Sequence, residues 1–234
     1  MKKSNIAILI VFLICIPLTL YFGTMAARRS FYITGTLVII ELLIPFFMAF
    51  EGRKPQAREL VIIAILCALG VASRVLVPLP HFKPAFAVIL LSGMAFGPEC
   101  GFMVGAITAF VGNFFLGQGP YTAWQMMAYG AGGMLAGFLF QKKILPKKPV
   151  IMAIFGFVVC IVWIGPLLDC SQIFLMLSEV TWEGAAASFA AGFPVNVSQG
   201  VCTALVLLLF GKPVLEKLDR VKIKYGMMED ADGV

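Results

Sequence analysis

The side chains of this chain that could do chemistry are amides, aromatics and a few cations, and they gather where apolar runs end. The densest group surrounds the glycine-broken turn Gly117-Gln118-Gly119-Pro120, with Asn113 before it, Tyr121, Trp124 and Gln125 after it, and Tyr129 one helical turn further on. Arg74, Lys83, Asn196 and Gln199 stand at comparable places in other apolar runs. Amides both donate and accept hydrogen bonds, and Trp and Tyr add flat apolar area with a polar handle, a mixture suited to holding a vitamin-like molecule. The same residue types also form interfacial belts and bonds between membrane helices. The cluster therefore carries the argument, and no single member does.

Catalysis finds little support. The one histidine, His81, lies in the loop Pro78-Leu79-Pro80-His81-Phe82-Lys83-Pro84 and reads as plain surface. Cys15, Cys67, Cys100, Cys160, Cys170 and Cys202 are scattered, with no Cys-x-x-Cys and no neighbouring His, so no metal site is expected. A phosphate-binding Gly-x-x-x-x-Gly-Lys-Ser/Thr loop is absent, so this chain does not itself hydrolyse ATP by that route. From Pro84 to Gln141 the only charged side chain is Glu99, whereas ion-coupled carriers commonly place ionisable groups within the membrane. The expectation is a binder without an engine, not an enzyme, and with no cofactor.

The elements that must position these residues are membrane helices. Of 234 residues 61% are hydrophobic and 13% charged, and the mean hydropathy is +0.98. Such a composition suits a polytopic membrane protein, whose spans must be helical because lipid satisfies no backbone group. Spans are predicted near 5–23, 32–50, 59–77, 84–97, 101–116, 123–140, 150–168 and 190–210. The formal charge of +6 could suggest nucleic acid, but its distribution reads as orientation. Lys2 and Lys3, then Arg53, Lys54 and Arg58, then Lys142, Lys143, Lys147 and Lys148, and finally Lys212, Lys217, Arg220, Lys222 and Lys224 fall on one side of the membrane. The positive-inside rule makes that side, and both termini, cytoplasmic, so the Gly117 turn faces outward. Met1-Lys2-Lys3 and its apolar run resemble a secretory signal, yet the run is long and a further span follows, so it is expected to be retained. Glu41 falls inside the second span, where a carboxylate is either paired or functional.

Small residues add a second theme. Ala64, Ala68 and Ala72 recur every four residues and so share one helical face. Such a stripe lets backbones approach closely, against either a partner subunit or a neighbour in the same bundle. Gly93, Gly97, Gly101 and Gly105 repeat the spacing across Pro98, which must break the helix, and are expected to pack two spans tightly. Residues 212–234 read as a basic amphipathic tail along the inner, lipid-facing membrane surface with a loose acidic end.

Three pieces of the sequence carry a family resemblance. They are Leu90-Leu91-Ser92-Gly93-Met94-Ala95-Phe96-Gly97-Pro98, Gly117-Gln118-Gly119-Pro120-Tyr121-Thr122-Ala123-Trp124-Gln125-Met126, and Gly192-Phe193-Pro194-Val195-Asn196 with Gly211-Lys212-Pro213-Val214-Leu215-Glu216-Lys217-Leu218. Together they resemble the substrate-binding S component of energy-coupling factor (ECF) vitamin transporters over about 58–225. The resemblance implies an all-α integral membrane protein: a six-helix core over 58–211, preceded by two extra transmembrane helices and a basic linker in 1–57. It also implies a plasma-membrane location and an outward-facing site built from loops and later helices, drawing on Arg74, Lys83, Asn113, Gln118, Tyr121, Trp124, Gln125, Tyr129, Asn196 and Gln199. Ala64, Ala68 and Ala72 would dock on a transmembrane coupling subunit energised by two cytoplasmic ATPase subunits, with the S component toppling in the membrane to deliver its cargo. The vitamin suggested by the Gly-Gln-Gly-Pro turn is cobalamin or a related corrinoid; riboflavin, thiamine, pyridoxine and queuosine precursors are the other candidates. Relatives often have Trp and Pro where this chain has Tyr121 and Ala123, and His in place of Gln199, so the substrate does not transfer with the fold. The competing reading is a self-contained secondary carrier or exporter, although no inverted repeat between the halves supports it.

Overall fold

The computed structural model describes residues 14–15, 18–19, 30–52, 57–79, 81–176 and 181–224, and these are helical apart from short connections. The first predicted span, the linker 53–56 and the acidic end of the tail lie almost wholly outside the described residues. Helix α1 is Ser30–Gly52, α2 Ala57–Val75, α3 Ala85–Phe96, α4 Pro98–Leu116 and α5 Tyr121–Gln141. Helix α6, Pro149–Val159, continues through a π turn, Cys160–Ile164, directly into α7, Gly165–Met176, and α8 runs from Trp182 to Lys224. Pro98–Leu116, Pro149–Phe174 and Trp182–Lys224 are each long and apolar enough to cross a membrane. Large apolar side chains such as Val61, Ile65, Phe114, Phe115, Ile154 and Leu209 cover the outside of the bundle. A polypeptide with its backbone bonded within helices and an apolar exterior is built for lipid, and the chain is an all-α, multi-pass membrane protein.

Glycine governs the centre. α5 lies against α3 and α4, and a Cβ added at Gly93 would come 2.1 Å from the Gly133 carbonyl oxygen, while one at Gly133 would come 2.2 Å from that of Gly101. One at Gly105 would meet the Tyr129 carbonyl oxygen at 2.4 Å. The predicted glycine repeat therefore packs three helices, not two. Gly97, at φ +98°, makes the turn between α3 and α4, and Pro98 opens α4 in the first-turn position that needs no N–H. Phe102, Phe140, Ile89, Leu90 and Met94 fill the core between these helices.

Two expected features of the second half differ in the structure. The outer loop between the last two predicted spans is largely helix, because α7 continues to Met176 and α8 begins at Trp182. Past the predicted end of the span near 168, Asp169 and Ser171 are buried together with Ile173, so tertiary packing extends the helix. The second difference is at the tail: α8 passes through Pro194 and Pro213 without stopping, so the basic segment to Lys224 is a helical continuation of the last span. Lys147 reaches across to Asp219, Nζ to Oδ1 3.7 Å, tying the basic loop after α5 to this extension.

Candidate functional site

The opposite end of the bundle holds the polar residues. A cavity of about 220 Å3 lies among the C-terminal end of α2, the loop before α3, the start of α5, the π turn and the middle of α8. Five of the expected residues line it: Arg74, Lys83, Tyr129, Asn196 and Gln199. His81, read from sequence as plain surface, lines it too, in a left-handed conformation with φ 56°. Phe86, Cys160, Ile164, Gly165, Leu168 and Val195 complete the apolar part of the wall together with Leu116.

Arg74 is the anchor. It is buried at the end of α2, where Nη1 donates to the Ala109 carbonyl at 3.1 Å and Nη2 to Gln125 Oε1 at 3.0 Å. Gly112 makes room for it, since a Cβ there would sit 3.0 Å from Nη1. Its guanidinium carbon lies 5.3 Å from the centroid of the Tyr129 ring, and Phe86 meets that ring edge-on at 4.6 Å. Cation, phenol and phenyl thus form one continuous wall.

Behind the wall the amides bond to each other. Asn113 Nδ2 donates to Gln125 Oε1 and to Thr122 Oγ1, each at 2.9 Å, and Thr122 Oγ1 donates to Gln118 Oε1 at 2.9 Å. Gln118 Nε2 closes the path on the Phe110 carbonyl at 2.9 Å. Asn113, Gln118 and Gln125 therefore hold the turn between α4 and α5 and support Arg74 from outside the cavity. Gln199 grips the backbone of Lys83 at both its N–H and its carbonyl, fastening the loop before α3 to α8, and Lys83 Nζ donates to the Val77 carbonyl. Asn196 Nδ2 donates to Asp169 Oδ2 at 2.8 Å, while Gly165 lets the amide lie flat against the π-turn end of α7.

Two expected residues face elsewhere. Trp124 is buried against α7, stacked on Phe174 at 5.5 Å, in a cluster that includes Ile39 of α1. Tyr121 turns its hydroxyl back to the Gly117 carbonyl at 2.8 Å. Helical phase explains Trp124: Gln125 and Tyr129, four apart, share the face turned toward Arg74, and Trp124 is rotated off that face.

A second feature lies on the outside of the bundle. Ala64 and Ala68 are exposed and Ala72 half-buried, and they floor an apolar groove of about 660 Å3 between α2 and α4, rimmed by Val75, Met103, Ile107 and Phe115. The alanine stripe faces away from its own bundle. The opposite side of α2 does the internal packing, with Gly70 set against Thr108 of α4.

The fold and the site define a helical membrane protein with a cavity at one end, walled by Arg74, Lys83, Tyr129, Asn196 and Gln199. Residues 54–216 match the family of the ECF-type riboflavin transporter, S component. The chain belongs to that family. Among curated proteins it is similar to the UPF0397 protein of Vibrio atlanticus (strain LGP32), 35% identical over 121 residues, 44% of this chain and 66% of that protein. It is also similar to the UPF0397 protein of Aliivibrio salmonicida (strain LFI1238), 34% identical over 106 residues, 43% of this chain and 56% of that one. The chain thus spans between 56% and 66% of the length of the curated relatives it matches. No solved structure matches it.

Proposed function

We propose that this chain is the substrate-specific, non-enzymatic binding subunit of an ATP-driven ECF-type uptake transporter in the plasma membrane. The observation that carries the reading is the separation of two surfaces: a polar cavity around Arg74 at one end and an apolar alanine groove on the flank. The first suits a small molecule; the second suits the transmembrane coupling subunit, to which two cytoplasmic ATPases supply energy. The basic ends of α5 and α8 support a cytoplasmic location for the end opposite the cavity.

The cargo we propose is a flat, vitamin-sized ring compound. Tyr129 and Phe86 offer it aromatic faces, and the family's name carries riboflavin. A cavity of about 220 Å3 falls below the roughly 300–1,000 Å3 of pockets for drug-sized ligands. That volume disfavours the corrinoid expected from the Gly-Gln-Gly-Pro turn. A secondary carrier has one observation on its side: Glu41 in α1 accepts from Thr19 Oγ1 at 2.5 Å, and its Oε2 is buried without a partner among the described residues. The experiment is purification of the tagged chain from its native membrane, with mass spectrometry of co-purifying proteins and small molecules. The expected finding is a coupling subunit, two ATPases and a ring compound smaller than a corrinoid. A chain isolated without coupling proteins, or loaded with a corrinoid, counts against the reading.

A further inference from the structure

Arg74 is a buried cation whose direct contacts are neutral groups. It is 8% exposed, and its contacts are the Ala109 carbonyl, the Gln125 amide and the face of Tyr129. Lys83 likewise gives Nζ to a backbone carbonyl, that of Val77. Among the described residues no carboxylate pairs with either of them. Asp169, whose partner Asn196 lines the cavity, is engaged by Asn196 Nδ2. Moving a charge out of water is costly unless an opposite charge meets it, and inside a membrane bundle water returns little of that cost. A guanidinium has five N–H donors in a fork matched to carboxylate and phosphate oxygens, and two contacts leave most of them unused.

We infer that the cavity takes an anionic molecule, a flat ring bearing a carboxylate or phosphate, with the charged group at the Arg74–Lys83 wall and the ring beside Tyr129 and Phe86. This rests on the binding-subunit reading above and adds the charge of the cargo. The ligand supplies the negative charge that the protein withholds, so the empty site carries an unpaired cation and the loaded site an ion pair.

Matched probes small enough for the cavity test it on the purified full-length chain by calorimetry: nicotinate against nicotinamide for a carboxylate, and pyridoxal 5′-phosphate against pyridoxal for a phosphate. In at least one pair the anionic member should bind about tenfold tighter or more, as a charge-assisted contact to a buried Arg predicts. Gln125→Glu places a carboxylate beside Arg74 within the protein, in nearly the same shape. It should bring the preference close to unity, read as the ratio of the two affinities of each pair measured on the same variant. Arg74→Lys should retain part of the preference, and Arg74→Gln none. Equal or tighter binding of the neutral member in both pairs overturns the inference and leaves the binding-subunit reading standing. A preference that survives Gln125→Glu also overturns the inference. Binding of none of the four probes contradicts the cargo class proposed for the cavity as well.

Discussion

Trp124 and Gln125 are neighbours in sequence and opposites in role. Gln125 Oε1 accepts from both Arg74 and Asn113, so Gln125→Ala leaves two buried donors without their acceptor. That change should weaken ligand binding by roughly 1–3 kcal/mol, or about 5- to 150-fold, while the folded chain persists, as calorimetry on purified protein can measure. Trp124→Ala removes a ring stacked on Phe174 and packed near Ile39. Its cost should appear in the melting temperature, at about 3–5 kcal/mol, with ligand affinity nearly intact. The sequence alone grouped the two because both are amphipathic and adjacent. Arg74, Tyr129, Asn196 and Gln199 were legible as polar residues in apolar runs, where burial demands a partner or a purpose. Phe86, Ile164 and Val195 were not, because apolar wall residues look like any lipid-facing or core residue until helix rotation is known. His81 was passed over because a loop histidine has no periodicity to betray which way the loop folds.

At the scale of elements, small residues determine which helices touch. Gly133→Ala would push a methyl into the Gly101 carbonyl at 2.2 Å, backbone against backbone, where no side chain can swing away. α4 and α5 must then separate, and the variant should lose thermal stability and expression far more than Gly97→Ala, whose added Cβ meets nothing within 4 Å and costs only the strain of φ +98°. Melting curves of the two variants in detergent would compare them. Ala68 presents the opposite case, since it lies exposed on the flank of α2. Ala68→Trp should leave folding and ligand affinity unchanged yet abolish pull-down of the coupling subunit; a variant that still assembles and transports would make the groove ordinary lipid-facing surface. Periodicity exposed both stripes in the sequence, but spacing alone does not say which face of a helix looks inward. The π turn after α6 and the continuation of α8 through two prolines were invisible for a related reason: tertiary contacts override local propensity there.

For the whole molecule, the account divides labour between an end that binds, a flank that docks and a basic end that orients. Orientation is testable in a cysteine-free background by Gln118→Cys, an exposed position in the turn between α4 and α5. The thiol should react with a membrane-impermeant reagent in intact cells; labelling only after permeabilisation would invert the topology. The central claim is that this chain binds its cargo but does not move it uphill without an external engine. It is tested most directly by reconstituting the purified chain alone in liposomes, without ATP or partner subunits, and following nicotinate, pyridoxal 5′-phosphate and riboflavin under imposed proton and sodium gradients. The account predicts saturable binding to the protein and no accumulation above the external concentration under either gradient. Accumulation against a concentration gradient would contradict it and make the chain a secondary carrier, with Glu41 the first residue to examine.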